Sequence, residues 1–390
     1  MLMGKPRCAC FVCAIMSYFG SLSPLMVVRR GRSFSCWTGW KCYAAMQPGA
    51  GMTPYAIDRR PVGASDVAID IKYSGVCHSD IHQVRQDWAP GNFPMVPGHE
   101  ISGVVAAVGD AVRRFRVGDQ VGVGCIVDSC RACPKCQSGQ ENYCQSGPVF
   151  TYNDKHKYPH CAEYTEDGGR PTYGGYSQHI VVDENYVCRI PDSMNLAGAA
   201  PLLCAGITVY SPMKFFGLQK GQKLAVAGLG GLGAMAVLIG KAIGAEVTVL
   251  SRSESKREEA LKILKADRFV LNHELDSMKG VFDMVISTIS ADHDLRPYIG
   301  AVAHEGKCIV LGIPPQFLNF HAFDLISGRK MLSASMFGSI KETQDMLDFC
   351  GQHGITCPHE IIRADQINEA FDRTVSSDVK YRFVIDVGTM

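Results

Sequence analysis

The chain shows two kinds of hydrophobic pattern. Between about residues 41 and 190, short apolar runs are separated by Gly, Pro and Asp, as in VAIDIKYSGV, ISGVVAAVGDAV, GDQVGVGCIV and YSQHIVV. Short alternating strands with frequent turn residues are typical of β domains. We therefore predict a small barrel-like β domain in this part of the chain.

The pattern changes after Leu203. The segment KLAVAGLGGLGAMAVLIGKAIGAEVTVLSRS predicts a strand, a glycine turn, a helix and a second strand, and SESKREEALKILK predicts an amphipathic helix. The apolar strands RFVLN, FDMVISTI and KCIVLGI follow, with helical stretches between them. Apolar strands that alternate with helices indicate a doubly wound parallel sheet, so the fold class is α/β. A helix from KETQDMLDFC and a strand from YRFVIDV complete the predicted elements.

Composition narrows the possible partners. A chain of 390 residues is long enough for two domains. Its net charge of +1 gives no broad attraction to nucleic acid or to an anionic membrane. No uninterrupted apolar run is long enough to span a bilayer. We predict neither a nucleic-acid nor a membrane partner.

The 17 cysteines favour metal thiolates in a reducing compartment over a secreted disulfide scaffold. The first 40 residues contain arginines and four cysteines but no acidic residue, the first of which is Asp58. This stretch formally resembles a signal peptide, and an organelle presequence is an alternative. We favour an unstructured appendage and a cytoplasmic protein, with organelle targeting as the alternative.

A G-x-G-x-x-G motif follows the strand KLAVAG and opens the next predicted helix, which is the context that a dinucleotide-binding turn requires. The glycines allow a tight turn, and the helix N-terminus offers N–H groups to a pyrophosphate. A packing turn without ligand is the alternative. The predicted contacts are Gly228, Leu229, Gly230, Gly231, Leu232 and Gly233.

The residues after the next strand indicate which cofactor binds. An NAD enzyme typically places Asp or Glu there, whereas this chain has Ser251, Arg252, Ser253 and then Lys256. Hydroxyls and cations suit a 2′-phosphate, which a carboxylate would repel. We predict NADP(H); the alternative is that Arg252 and Lys256 are solvated residues at a helix start.

The segment SCRACPKCQSGQENYC contains Cys130, Cys133, Cys136 and Cys144. Gaps of three, three and eight residues let four thiolates surround one tetrahedral ion, and four protein ligands leave no open position. We predict a structural Zn²⁺ rather than a disulfide or a redox pair, since overlapping C-x-x-C pairs indicate metal. Candidate ligands for a catalytic metal are Cys77, His99 and Cys204, although spacing alone does not show that they meet.

The sequence resembles zinc-dependent medium-chain dehydrogenases, in particular the cinnamyl-alcohol-dehydrogenase-like group of NADP-dependent aldehyde reductases. The matching motifs include GVCHSDIHQVRQDW, PMVPGHEISG, the four-cysteine segment, GLGGLG and SRSESKREEA, in family order from about residue 41 to the end. The resemblance implies a GroES-like β-barrel catalytic domain, residues 41–204 and 336–390, with a structural-zinc lobe at 129–145. It implies a Rossmann NADP-binding domain at 205–335 after an extension at 1–40.

The resemblance also implies the roles of individual residues. Cys77, His99 and Cys204 would ligate a catalytic zinc, with Glu100 able to approach the metal and Asp80 orienting His99. Ser79 would bind the substrate oxygen and His82 would relay its proton. Thr208 would pack near the nicotinamide, and Trp88, Met336 and Phe337 would line the substrate pocket. The chain departs from close relatives in its leader and at Ala234, where they usually have His.

The implied reaction is hydride transfer between NADPH and a zinc-polarised carbonyl, interconverting aliphatic or aromatic primary alcohols and aldehydes in a homodimer with two Zn²⁺ per chain. A zinc-independent NADPH quinone or enoyl reductase and a non-enzymatic zinc-ribbon module are the alternatives. We interpret His156, His160 and Cys161 as loop residues rather than a third metal site. We expect Cys125, Cys188, Cys308, Cys350 and Cys357 to be packing residues.

Overall fold

The computed structural model describes residues 38–390, apart from residues 162, 164, 167, 315 and 377. The described residues belong to one compact unit. The predicted extension, residues 1–40, lies almost entirely outside them, as do Cys8, Cys10, Cys13 and Cys36. The elements and contacts of this structure therefore begin at Thr38.

The strands account for nearly all the apolar runs that the sequence marks as β structure. They are β1 Trp40–Ala45, β2 Met52–Ile57, β3 Asp66–Val76, β4 Ile101–Val108, β5 Gln120–Val123, β6 Ile126–Asp128, β7 Val149–Phe150, β8 His179–Asp183, β9 Cys188–Arg189, β10 Lys223–Ala227, β11 Glu246–Ser251, β12 Arg268–Leu271, β13 Phe282–Ser287, β14 Val302–Val310, β15 Met331–Ala334, β16 Glu360–Arg363 and β17 Phe383–Asp386.

The α-helices are α1 His78–Arg85, α2 Pro134–Gln137, α3 Leu196–Ala199, α4 Ala205–Phe215, α5 Gly231–Ile243, α6 Arg296–Ala301, α7 Ala322–Ile326, α8 Ile340–His353 and α9 Ile367–Val375. Short 3₁₀ turns, Ala200–Leu203 and Glu141–Tyr143 among them, connect several elements. The charged segment predicted as a helix is helical from residue 254 to 263, beginning as a 3₁₀ turn, Glu254–Lys256, and ending as a π-helical turn, Glu259–Ile263.

A mostly antiparallel sheet forms one half of the molecule and takes strands from both ends of the described chain. Its strand order is β16-β17-β3-β4-β5-β9, and β8 also pairs with β3. Ile69, Ile101 and Phe383 are fully buried in the core beneath it. The long strand β3 leads directly into α1, and the chain enters β4 from a Pro-Gly turn. Cys77 and His99 therefore lie at the same end of two neighbouring strands.

A six-stranded, fully parallel sheet forms the second half, in the order β12-β11-β10-β13-β14-β15. Val226, Val249 and Ile286 are completely buried, as expected for central strands covered on both faces. The order reverses between β10 and β13, and ligands of such sheets bind at the carboxyl ends beside this switch point. The glycine turn lies there, since it joins β10 to α5.

The parallel sheet uses strands between Lys223 and Ala334, whereas the antiparallel sheet uses strands on both sides of that range. The exact domain boundaries stay predictions. Phe337 and Ile340 pack against the cores of both halves. Within the described chain, no single helix is long and apolar enough to cross a bilayer. One pair of helical segments, Leu196–Leu203 and Ala205–Phe215, reaches the required length and apolar composition only when taken together, and it is bent by 54°.

Candidate active site and metal centres

The four-cysteine loop, residues 129–144, brings its four sulfur atoms together. The Sγ atoms of Cys130, Cys133, Cys136 and Cys144 lie within 4.8 Å of one another. Cys133 and Cys136 are 3.5 Å apart at their sulfurs, and Cys130 and Cys136 are 3.8 Å apart. These distances are far longer than a disulfide bond, and all four residues are free thiols. The disulfide alternative is therefore excluded for this loop.

The loop fits a tetrahedral zinc ion. Four sulfurs at the usual Zn–S distance would be separated by about 3.8 Å, close to the two separations observed. Backbone N–H groups also point at the sulfurs: Cys133 donates to Cys130 Sγ over 3.3 Å, and Gln145 donates to Cys133 Sγ over 3.4 Å. Backbone donors from Cys136 and Gln145 lower the pKa of Cys133 to about 6. These donors favour the thiolate form of Cys133, whereas burial raises the pKa of Cys136 to about 12.

A second group, which we call the Cys77 cluster, consists of Cys77, His99, Glu100 and Cys204, whose ligand atoms lie within 4.8 Å of one another. Cys77 precedes α1, His99 and Glu100 precede β4, and Cys204 precedes α4. His99 Nε2 lies 3.2 Å from Cys204 Sγ. Two thiols and an imidazole from distant parts of the sequence therefore converge, as a catalytic zinc requires.

Asp80 organises this cluster from beneath. Its side chain is fully buried, and Oδ2 accepts hydrogen bonds from the Cys77 N–H at 2.9 Å and the Tyr176 hydroxyl at 3.1 Å. Oδ1 accepts from the Gly98 N–H at 3.2 Å and from His99 Nδ1 at 3.1 Å. Because Nδ1 is held by a carboxylate, Nε2 faces the two thiols and is the ring nitrogen that would bind a metal. Tyr176 was not singled out by the sequence.

Glu100 contributes a buried carboxylate that pairs with Arg382. Its Oε1 lies 3.0 Å from Arg382 Nη2 in an ion pair, and both side chains are buried. Burial raises the pKa of Glu100 to about 8, although Arg382 opposes the shift. The carboxylate lies against Gly75, where an added Cβ would be 1.9 Å from Oε2. Glycine is therefore required at that point of β3.

Arg382 connects the Cys77 cluster with the glycine turn, a link that the sequence did not reveal. Its Nη1 donates to the Val76 carbonyl at 3.4 Å. A Cβ built on Gly231 would lie only 3.1 Å from its Cζ. In the sequence, this arginine lies in YRFVIDV, a segment that predicts a strand but gives no indication of a contact with the site.

The helix α1 carries Ser79 and His82, which lie three residues apart and so share a face. Ser79 Oγ is 3.6 Å from Cys77 Sγ, beside the cluster. His82 Nδ1 pairs with Asp87 Oδ2 at 2.7 Å, and the half-exposed Trp88 ring lies 4.7 Å from the His82 ring, centre to centre. The sequence pointed to His82 and Trp88 but not to Asp87.

The segment with Met336 and Phe337 contacts the four-cysteine loop. The Phe337 carbonyl accepts a hydrogen bond from Asn142 Nδ2 at 2.7 Å, and the Met336 N–H donates to the Tyr143 hydroxyl at 3.4 Å. The Phe337 ring also meets Phe150 edge-on, with centres 6.4 Å apart. The loop thereby fixes the position of both residues.

The glycine turn has the geometry of a phosphate-binding turn. Gly228 has a φ of +89°, which favours glycine, and Gly230 caps α5. A Cβ on Gly233 would lie 2.0 Å from the Gly228 carbonyl oxygen, whereas one on Gly230 would meet nothing within 4 Å. Gly233 thus allows close packing, and Gly230 leaves space for a ligand. Leu229 and Leu232 are half-buried beside them.

The predicted 2′-phosphate residues lie at the carboxyl end of β11. Ser251 is buried, and its hydroxyl accepts a hydrogen bond from the Ser253 N–H at 3.2 Å. Arg252 and Ser253 are exposed, while Lys256 forms an ion pair with Glu259 at 3.3 Å. Of the two cations, Arg252 is therefore the better placed for a phosphate. Thr208 lies one turn after Cys204 on α4, and its N–H donates to the Cys204 carbonyl at 3.0 Å.

Comparison with known proteins defines the class. Residues 63–192 match the model of the alcohol dehydrogenase GroES-like domain family. Residues 231–352 match the model of the zinc-binding dehydrogenase family. The chain is 49% identical to an NADP-dependent alcohol dehydrogenase C of Mycolicibacterium smegmatis over 351 residues, which are 89% of this chain and 98% of the relative.

Similar solved structures support the same class. A cinnamyl alcohol dehydrogenase from Sorghum bicolor is 42% identical, with a TM-score of 0.84 over 90% of this chain and 98% of that one. The CAD of Helicobacter pylori complexed with NADP(H) is 41% identical, with a TM-score of 0.82 over the same shares. The protein belongs to the zinc-binding alcohol dehydrogenase family. The resemblance and the fold class expected from the sequence are confirmed, and the zinc-independent and non-enzymatic alternatives are not favoured.

We expect Asp80→Asn to weaken metal binding at the Cys77 cluster by about 10- to 100-fold, because the carboxylate that orients His99 is lost. Competition with a chromogenic chelator measures this affinity. Asp87→Asn is the matched control, since Asp87 pairs with His82 on the exposed side of α1 rather than with His99. Equal zinc affinities for the two variants would contradict the role of Asp80.

Proposed function

We propose that this protein is a zinc- and NADP(H)-dependent oxidoreductase that interconverts primary alcohols and aldehydes. The observation that carries the proposal is the convergence of Cys77, His99 and Cys204 in one group. The similarity to NADP-dependent alcohol dehydrogenases supports the reaction class. Oxidation of NADPH with a panel of aliphatic and aromatic aldehydes, followed by absorbance, tests the activity, and turnover of none of them would contradict it.

Cys77, His99 and Cys204 would hold the catalytic zinc, and the four-cysteine loop would hold a structural one. When bound, a catalytic zinc supplies a Lewis acid that polarises a carbonyl oxygen. Asp80 keeps His99 in the tautomer whose Nε2 faces the cluster. Glu100, which pairs with Arg382, lies in the same cluster and would be able to approach the metal.

The chain also provides a route for the proton. Ser79 Oγ lies beside the cluster and would donate a proton to the substrate oxygen. His82 would replenish that proton from solvent through the cofactor ribose, and Asp87 fixes the orientation of its ring. His82 is partly exposed, so water reaches this end of the route.

NADP(H) would bind at the carboxyl ends of the parallel strands. When bound, its nicotinamide carries the hydride that is exchanged with the substrate carbon. The N-terminus of α5 and the open face of Gly230 would receive the pyrophosphate, and Arg252 with Ser251 and Ser253 would receive the 2′-phosphate. Thr208, one turn from Cys204, would contact the nicotinamide.

The substrate class follows from Trp88, Met336 and Phe337, which would give the pocket an apolar and aromatic lining. Such a lining suits alcohols and aldehydes with an alkyl or aryl tail. The similarity to a cinnamyl alcohol dehydrogenase supports an aryl tail in particular.

We also propose a cytoplasmic location, supported by the free state of every cysteine in the described chain, which a reducing compartment favours. Organelle targeting by residues 1–40 is the alternative. N-terminal sequencing of the mature protein distinguishes the two locations, and a cleaved leader would contradict the cytoplasmic one.

A graded set of variants tests the two zinc roles. We expect Cys77→Ser or His99→Ala to abolish turnover with the fold largely kept, because each removes a ligand of the catalytic ion only. Cys133→Ser should instead lower stability and solubility, because the four-cysteine loop depends on its metal. His82→Gln should slow turnover moderately and change its pH profile, because water can replace the imidazole.

Zinc content, thermal unfolding and turnover are measured together for these variants. Wild-type protein should contain about two zinc ions per chain, and Cys77→Ser about one. An equal loss of activity and of fold in all four variants would contradict separate roles for the two ions.

The cofactor preference is tested at Arg252. We expect Arg252→Asp to raise the KM for NADPH at least about tenfold, because a carboxylate replaces the cation facing the 2′-phosphate. The KM for NADH serves as the control within the same variant and should not rise. An unchanged KM for NADPH would remove Arg252 from the site.

We further propose a homodimer. The edge strand β15 has an open side, and the segment between β14 and β15 exposes large apolar side chains: Ile313, Phe317, Phe320, Phe323 and Ile326. Light scattering during gel filtration should give twice the chain mass of 42.5 kDa. Phe323→Glu should reduce this mass, whereas Phe215→Glu, equally exposed on α4, should not. A wild-type mass of one chain would contradict the dimer.

A further inference from the structure

The stretch between β7 and β8 contains a thiol that neither zinc site uses. Cys161 Sγ lies 3.3 Å from His156 Nδ1, and His156 Nε2 lies 3.0 Å from Glu163 Oε2. The three side chains thus form a line in which the imidazole lies between a thiol and a carboxylate. An imidazole held in this way by a third group is the arrangement that activates nucleophilic cysteines.

This arrangement does not suit a metal ion. The two ring nitrogens of His156 point in opposite directions, one to Cys161 and the other to Glu163, so the three ligand atoms cannot surround one point. In the chain from residue 38 onward, as far as it is described, the sets of three or more clustered ligand atoms are the four-cysteine loop and the Cys77 cluster.

The sulfur of Cys161 lies beside two basic side chains, Arg60 and His156. Arg60 Nη1 lies 3.9 Å from Cys161 Sγ, while the same guanidinium pairs with Asp66 at 2.7 Å and with Glu163 at 3.5 Å. Burial lowers the pKa of His156, but its contacts with Cys161 and Glu163 outweigh burial and raise it to about 9. A raised pKa makes the imidazole a stronger acceptor for the proton of the neighbouring thiol.

Five buried cysteines outside the metal clusters provide a contrast. Burial raises the pKa of all five to about 12: Cys42, Cys188, Cys308, Cys350 and Cys357. Thiols in such surroundings are chemically inert. Cys161, by comparison, is only partly buried.

A cavity of about 310 Å³ adjoins this group. Arg60, His156 and Glu163 line it, together with the aromatic rings of Tyr55 and Tyr173. Its volume lies in the range of pockets for small molecules. Because Arg60 and His156 both contact Cys161, a molecule in this cavity lies next to the residues that polarise the thiol.

We propose that Cys161 is a thiol–disulfide exchange site for low-molecular-weight disulfides. The Cys161 thiol transfers its proton to His156, and the resulting thiolate attacks one sulfur of the disulfide. A bond forms between Cys161 Sγ and that sulfur, the original S–S bond breaks, and the leaving thiolate takes the proton from His156. The product is a mixed disulfide on Cys161 and one free small thiol.

The test uses the full-length, zinc-loaded protein and glutathione disulfide at neutral pH, with peptide mapping by mass spectrometry. We expect the mixed disulfide to form at Cys161 at least about ten times faster than at any of the five buried cysteines. It should also form at least about ten times faster than in the free peptide of residues 155–166, which contains His156, Cys161 and Glu163 without the fold and without Arg60. The readout does not depend on dehydrogenase activity.

Two histidine variants separate the proposed mechanism from simple accessibility. His156→Gln should slow modification of Cys161 about tenfold, because the proton acceptor is lost. His160→Gln is the matched control and should leave the rate within about twofold, since His160 pairs with Asp128 instead. Rates at Cys161 equal to those of the free peptide, or an equal effect of the two substitutions, would overturn the proposal. The wild-type comparison with the peptide decides the question even where a variant does not fold.

Discussion

The buried carboxylate of Asp80 is the group on which the geometry of the Cys77 cluster depends. It accepts hydrogen bonds from the backbone of Cys77 and Gly98 and from the side chains of His99 and Tyr176. A buried carboxylate is costly unless its oxygens are satisfied, and here four donors satisfy them. The same four bonds fix the start of α1, the turn before β4 and the tautomer of His99. One polar residue in an apolar core therefore sets the positions of ligands 22 residues apart.

The two halves of the molecule meet through charged and backbone contacts around that cluster. Cys204 comes from the chain that leads into the parallel sheet, and Arg382 comes from the last turn before β17. Arg382 lies between Glu100 and Gly231, and so between the Cys77 cluster and the turn that would bind the cofactor. An enzyme that transfers a hydride must hold its metal and its cofactor at a fixed separation. This arginine is in a position to maintain it.

The four-cysteine loop acts on the same site from further away. Through Asn142 and Tyr143 it contacts the backbone of Phe337 and Met336, just before α8 begins. The loop has little apolar content, so its shape depends on the convergence of its sulfurs rather than on a hydrophobic core of its own. A structural ion there would stabilise the segment that borders the proposed substrate pocket as well as the loop.

The sequence by itself determined the parallel sheet, the glycine turn and both sets of zinc-ligand candidates, because apolar periodicity and fixed ligand spacing are local properties. It identified Cys77, His99 and Cys204 singly and needed a family resemblance to group them. Tyr176, Asp87 and Arg382 were missed, and Cys161 was interpreted as a loop residue. Only the tertiary structure decided these points, because each depends on a hydrogen bond or an ion pair between side chains whose proximity the sequence pattern does not encode.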